Sequence, residues 1–345
     1  MSDDPLDRYA RQWRYEPLGR SGQARLGEGR ALICGCGALG SVIANTLARA
    51  GVGYLRIVDR DFLELNNLQR QVLFDEADVA ARLPKAVAAA TKLARINSEI
   101  EIEPLVADVD HRNILKLADS VDVILDGTDN FETRMLLNDA ALQLDIPWIY
   151  GGCIGAEGQT MTVIPHQTAC LRCVMREPPA PGETPTCDTA GILGSIVNVV
   201  ASMQAAEAIK ILSGNSDAIQ TGLTIIDLWD NRLRQIGTQS IQSQEDCPAC
   251  SGREAPWLQG DRGSQTAVLC GRNAVQLRSL EGQSLDLEYL AKKLAERGEV
   301  VQNKFLLRFT MEKFEFTIFP DGRAIVGGTD DIAEARTAFA RFVGV

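Results

Sequence analysis

A hydrophobic run leads into three spaced glycines, then into a second hydrophobic run that ends on an acid: LICGCGALGSVIANTLARAGVGYLRIVDRD, residues 32–61. Few local patterns restrict a fold as much. Gly35 permits a tight turn, Gly37 lets backbone approach a phosphate, and Gly40 lets the following helix pack closely. The run from Ala31 reads as a strand. The stretch from Ala38 reads as a helix with Leu39, Ile43 and Leu47 on one face, and YLRIVD from Tyr54 as the next strand. This is the first βαβ unit of a nucleotide-binding fold. The helix start offers N–H groups to an anion. Asp59 closes the second strand, with Asp61 just behind it, and its carboxylate can read a ribose. NAD and ATP both carry that ribose.

The alternation continues. Pro84 can open a helix through KAVAAATKLARIN; EIEPLVADV, DVILDG and IPWIYGG read as strands, with the helix FETRMLLNDAALQL between the last two. Strands alternating with helices across 31–152 predict an α/β fold, a Rossmann-like, mostly parallel sheet flanked by helices. After Gly155 come a strand of different type, a Pro- and Thr-rich loop, a long helix ending at Gly214, and two more strands in LTIIDLWDNRLRQIGT. The expected organisation is one adenine-nucleotide domain over 1–250, a linker at 251–265, and a small α+β domain over 266–345 that carries no catalytic cluster.

Two segments bear on which nucleotide is bound. NNLQRQ places Asn67 and Arg70 just beyond the ribose-reading acid, and Lys85 starts the next helix. Backbone groups can largely satisfy the diphosphate of NAD, whereas a triphosphate losing pyrophosphate needs added positive charge. Arg70 and Lys85 supply it if the fold converges them; each alone also reads as surface charge. ILDGTDN then puts Asp129 and Asn130 at the carboxyl end of a buried strand, where open α/β sheets bind ligands. Asp129 can hold Mg²⁺ against phosphates. Equally, an Asp or Asn before FETRMLL can cap that helix.

The chain has nine cysteines. CLRC (Cys170, Cys173) and CPAC (Cys247, Cys250) offer four thiolates that suit a closed, structural Zn²⁺ site, with an iron–sulfur cluster or redox pairs as the other readings. Cys187 sits in the polar loop TPTCDTAG before a helix, where thiols gain reactivity.

RYARQ (8–12), GCGALG (35–40), NNLQRQ (66–71) and GTDN (127–130), in this order, resemble the ubiquitin-activating-enzyme superfamily. The likeness is to its bacterial branch of molybdopterin-synthase and thiamine sulfur-carrier adenylyltransferases, and it covers about residues 6–250. It implies ATP, Mg²⁺ and zinc. Asp59 would bind the ribose, Asn67, Arg70 and Lys85 the phosphates, and Asp129 the metal. Arg11 would reach the partner's ATP site in a homodimer. The implied substrate is a small ubiquitin-like sulfur carrier ending in Gly-Gly, adenylylated on its terminal carboxylate before sulfur arrives from a donor. In such relatives the cysteine matching Cys187 lies in a loop crossing toward the active site, and only some use it covalently.

That chemistry needs no general base, because a carboxylate is already ionised at neutral pH. Neither of the two histidines, His111 and His166, lies near a motif. The net charge of −11 argues against general nucleic-acid binding. The apolar stretches read as too short and interrupted for a membrane span, and the acidic, polar N-terminus points to the cytoplasm. Rival readings are an NAD-dependent oxidoreductase, which lacks a hydride-transfer partner here, an activator of another carboxylate or of tRNA, and an inactive scaffold of the same fold.

Overall fold

Five strands pair in parallel because the connections between them carry the chain back to the same end. They are β1 (Arg30–Cys34), β2 (Tyr54–Val58), β3 (Glu101–Leu105), β4 (Val123–Asp126) and β5 (Trp148–Ile154). In this computed structural model residues 4–179, 187–241, 246–262, 266–269, 273–277 and 285–344 are described. The order is β3-β2-β1-β4-β5, extended antiparallel by β6 (Glu157–Val163), β7 (Leu223–Asp227) and β8 (Arg232–Ile236). The turn from parallel to antiparallel comes at Gly155, where the sequence pattern changes.

Both faces of the sheet are covered. Along β1, Ala31 and Ile33 face one core and Leu32 and Cys34 the other, the two-residue alternation of a strand. The first core is closed by α2 (Ala38–Ala50), α3 (Lys85–Ile96) and α5 (Gly194–Ser213), the second by α4 (Phe131–Leu144). The sequence reading missed α1 (Gly19–Glu28). Its glycines are poor helix formers, so tertiary contacts hold it: Leu26 is buried, Gln23 Nε2 donates to Ala50 O at 2.9 Å, and Gly22 lies close under Leu18 and Ser213. By length and composition alone α5 could cross a membrane, which corrects the reading that every apolar stretch is short. Its apolar character serves the core instead: Ile196, Val197, Val200, Ala201, Ala205 and Ala208 are buried there.

The chain divides into two compact units, Met1–Gly263 and Ser264–Val345. Much of the stretch read as a linker belongs to the first unit, where the buried Trp257 anchors an otherwise largely exposed run of turns. The second unit is a six-stranded antiparallel sheet of order β11-β12-β13-β14-β10-β9. Its strands are β9 (Thr266–Leu269), β10 (Ala274–Leu277), β11 (Glu299–Gln302), β12 (Leu307–Met311), β13 (Phe314–Ile318) and β14 (Ala324–Gly327). With α6 (Leu287–Ala295) and α7 (Ile332–Phe342) it builds its own core around Phe309 and Phe316, whose rings stack at 5.7 Å. Three strands of it, β9 to β11, are four residues each and escaped the sequence reading.

Candidate active site

The glycine turn is an interlock of backbone. Gly35 takes a φ of +87° and donates its N–H to Val58 O at 2.8 Å. A Cβ on Gly40 would lie 1.9 Å from Gly35 O, and one on Gly127 2.3 Å from that same oxygen. Gly127 N donates to Cys34 O at 2.8 Å. The turn after β1 and the loop after β4 are therefore one joint. Gly37 differs, because its open side meets only the Gln71 amide nitrogen, 3.8 Å from where a Cβ would sit. It begins α2, whose first amides receive no side-chain cap.

Asp59 ties this turn to the next loop. Its Oδ2 accepts from Cys36 N at 2.6 Å and its Oδ1 from Asp61 N at 2.6 Å. Burial pushes the Asp59 carboxyl up, while the Lys85 charge and these N–H groups pull it back. Lys85 is buried with Nζ 3.2 Å from Asp61 Oδ2, and its N–H also holds Asp61 O at 2.9 Å. Arg60, which the sequence reading passed over, reaches Asp108 Oδ1 at 3.1 Å across the ends of β2 and β3. Burial works against its charge, but Asp108, Asp61 and Asp129 hold it protonated. The DRD spelling, a cation between two acids, was the available signal.

Asn67 closes a 3₁₀ turn, Leu65–Asn67: its Oδ1 accepts from Glu64 N at 3.1 Å and its Nδ2 donates to Asn66 Oδ1 at 2.9 Å. Its side chain is thus engaged in the loop itself. Arg70 is half-buried and donates Nη1 to Asn66 O at 3.0 Å. Gly194, at the start of α5, comes so near that a Cβ there would lie 2.9 Å from Gln69 O. The Arg70 segment is therefore held between α2 and α5.

After β4, the two readings of GTDN divide between its residues. Asn130 Oδ1 accepts from Thr133 N at 2.9 Å and caps α4, which leaves the Asp129 carboxylate exposed at the carboxyl edge of the sheet. Beneath them lies a buried ion pair with no sequence signal. Arg134 Nε is 3.1 Å from Asp126 Oδ2, Asp126 Oδ1 accepts from Thr128 N and Oγ1 at 2.9 and 2.6 Å, and Arg134 Nη2 donates to Thr128 O at 2.9 Å.

RYARQ lies elsewhere. The Tyr9 ring packs on Gly51 and its hydroxyl accepts from Asn97 Nδ2 at 2.8 Å; Gln12 Nε2 donates to Ala50 O at 2.8 Å. Arg11, on the one-turn helix Ala10–Trp13 between these anchors, is exposed. The glycine turn opens α2 and Tyr9 packs on its far end, so a helix of about 20 Å separates them.

The four cysteines of the two CxxC pairs converge. Cys170 Sγ is 3.8 Å from Cys173 Sγ and from Cys247 Sγ, and Cys173 Sγ is 3.6 Å from Cys250 Sγ. All four sulfurs lie within 4.8 Å of one another. Ligands on a tetrahedral zinc with Zn–S near 2.3 Å stand about 3.8 Å apart, so the set fits zinc. Mutual hydrogen bonds draw the Cys173 thiol down and push Cys170 up. The first pair and the segment after the second are bound to α4: Leu171 N donates to Asn138 Oδ1 at 2.8 Å, and Trp257 N to Asp139 Oδ2 at 3.2 Å.

Asp139 is 2% exposed, and burial pushes its carboxyl up to about 6 from 3.8. The folded chain therefore holds this proton more tightly than the unfolded chain. The resulting stabilisation is complete below the unfolded value and is lost as pH rises through about 6, a swing of ~3 kcal/mol at most. Asp139→Asn should flatten the stability profile between about pH 4 and pH 7. Thermal unfolding across that range checks it; profiles of equal slope in both proteins would contradict it.

Cys187 begins the one-turn helix Cys187–Ala190, and its side chain, like all of Cys270, lies outside the described residues. Cys34 and Cys36 are buried and their thiols pushed up by burial, so both are packing residues.

Comparison with known proteins gives the family and the fold. The ThiF family model matches residues 9–249. A sulfur carrier protein ThiS adenylyltransferase from Bacillus subtilis is 43% identical over 338 residues, 98% of this chain and 99% of that protein. A SAMP-activating enzyme E1 from Haloferax volcanii is 38% identical over 245 residues, 71% of this chain and 88% of that protein. Among solved structures, E. coli MccB with ATP has a TM-score of 0.62 at 22% identity, over 72% of this chain and 75% of that one, a likeness of fold. The Bacillus alignment runs through the second unit, which the sequence motifs left outside.

Proposed function

This chain belongs to the ThiF family, and from that premise we propose its reaction in detail: ATP-dependent adenylylation of the C-terminal glycine carboxylate of a small, ubiquitin-like sulfur carrier. The observation that carries it is the row of groups along one edge of the parallel sheet. Asp59, Arg60, Lys85, Asp108 and Asp129 all sit at or beyond the carboxyl ends of β2, β3 and β4, around the glycine turn.

In this reading Asp59 accepts the ribose hydroxyls with the lone pairs its two backbone N–H donors leave free. The turn and the uncapped start of α2 receive the phosphates. The carrier's terminal carboxylate attacks the α-phosphorus; the P–O bond to the β-phosphate breaks and pyrophosphate leaves. Arg70, held beside α5, and Lys85, from within its Asp61 pair, lower the energy of that leaving charge. The exposed Asp129 would hold Mg²⁺, which supplies charge neutralisation on the phosphates. Positioning replaces acid–base catalysis, because the attacking carboxylate is already ionised at neutral pH. Zinc at Cys170, Cys173, Cys247 and Cys250 braces α4. The enzyme works as a cytoplasmic homodimer, with Arg11 serving the partner's site, and its adenylate then meets a sulfur donor.

ATP–pyrophosphate exchange with a panel of Gly-Gly-ended carriers tests the reading. Exchange should depend on one carrier and fall about 1,000-fold in Asp129→Ala, the scale of losing a charge-stabilising group at a transition state. ATP binding without exchange for any carrier would sink it.

A further inference from the structure

The last residue of NNLQRQ has been given no task. Gln71 is 3% exposed, and its Oε1 is buried without a hydrogen-bond partner among the described residues. Its backbone is firmly placed, since its N–H donates to Asn67 O at 3.0 Å and its C=O accepts from Phe74 N at 3.2 Å. Sealing a carboxamide away from water with one end unpaired destabilises the fold, and native proteins tolerate few such groups. The other end supplies the reason. Gln71 Nε2 faces Gly37, the single glycine of the turn whose Cβ position no backbone crowds. Gly37 starts α2, a helix of 13 residues whose first amides lack a side-chain cap. A neutral amide donor carried by a buried residue and an open helix N-terminus thus face the same small space.

We infer that Gln71 is a catalytic residue: its carboxamide N–H donates to the nucleotide phosphoryl group seated at the Gly37 turn, the α-phosphoryl that the carrier's carboxylate attacks. This rests on the adenylylation reading above. A neutral donor suits the position. Arg70 and Lys85 serve the departing pyrophosphate, whereas the α-phosphoryl must remain open to an anionic nucleophile. A second cation there would hold that nucleophile as an ion pair. The non-bridging oxygens gain charge as the phosphorus becomes five-coordinate, so the hydrogen bond strengthens in the transition state and acts on kcat more than on KM.

The test uses the full-length protein and the carrier that drives wild-type exchange. Gln71→Met keeps the side chain's length and removes its polar atoms. The ligand-free Tm should equal or exceed that of the wild type, because an unpaired buried amide is gone. Exchange kcat should fall at least tenfold, with KM for ATP changing less. Exchange within twofold of wild type would overturn the inference, whatever the Tm. Absence of exchange in the wild type itself would instead defeat the adenylylation reading, so the two failures are distinct. If Gln71→Met does not fold, Gln71→Glu decides. Its carboxyl can donate only when protonated, so its rate relative to wild type should climb as pH falls. A wild-type rate at every pH would overturn the assignment.

Discussion

Mixing two variants that are each inactive, Arg11→Ala and Asp129→Ala, should restore pyrophosphate exchange. The reason is the placement of RYARQ. Tyr9 and Gln12 fasten that motif to Gly51 and Ala50, at the end of α2 opposite the glycine turn. Arg11 cannot bend back along the helix to its own nucleotide site, yet it stands exposed. In the homodimer proposed above it serves the second site instead. A mixed dimer pairs the intact Asp129 of one protomer with the intact Arg11 of the other and so holds one complete site. Random exchange makes half the dimers mixed, and half their sites complete, giving about a quarter of wild-type activity. Co-expressed, differently tagged protomers allow the mixed dimer to be purified and assayed. A mixed dimer as dead as its parents would assign Arg11 to its own chain or to no site at all.

Replacing Cys173 by serine should cost most of the stability of the first unit. The cysteines do not hang from the surface: Cys170, Cys247 and Cys250 belong to the same buried cluster as Trp148, Met135, Leu137 and Trp257. A structural zinc contributes roughly 10 kcal/mol or more to the folding of the segments it joins, and a whole domain commonly has only about 5–15. Without the metal, three or four thiols crowd together with no cation, and the segment carrying Trp257 loses its anchor. We expect one zinc per chain in the wild type by elemental analysis, none in Cys173→Ser, and a fall in Tm of more than 10 °C. A strong chelator should reproduce that fall. Substoichiometric zinc together with an unchanged Tm in the variant would refute the metal site, and a visible charge-transfer band would transfer it to iron and sulfide.

How much of this was legible in advance follows from the range of each interaction. The glycine turn is local sterics, so its spelling carries its meaning. The CxxC pairs are legible because each half of the ligand set is local, although what brings the halves together is not. The Asp126–Arg134 pair was invisible: an aspartate at a strand end and an arginine in a helix look like surface residues until Thr128 and Gly151 close over them. Lys85 was read as a phosphate cation from its residue type and Asn67 as a phosphate contact through the resemblance; what could not be read was the pairing of Lys85 with Asp61 and of Asn67 with its own turn, contacts set by a loop path that periodicity does not report. The α1 helix failed propensity because it carries three glycines, of which Gly22 packs closely against Leu18 and Ser213. Trp257 was lost in a Pro-, Gly- and charge-rich stretch whose composition resembles a linker.

The joint formed by Gly35, Gly40 and Gly127 carries an evolutionary consequence. Gly35 is crowded by the backbone of Gly127, Gly40 by that of Gly35, and Gly127 by both, so the three form a chain of dependence and are inherited as one character. Relaxed selection on nucleotide binding would free all of them together, since the first substitution already opens the joint and removes the constraint on the remainder. Among diverged paralogues, joint loss of these three marks a lineage that has given up catalysis, and a copy retaining two of them marks one caught in transition.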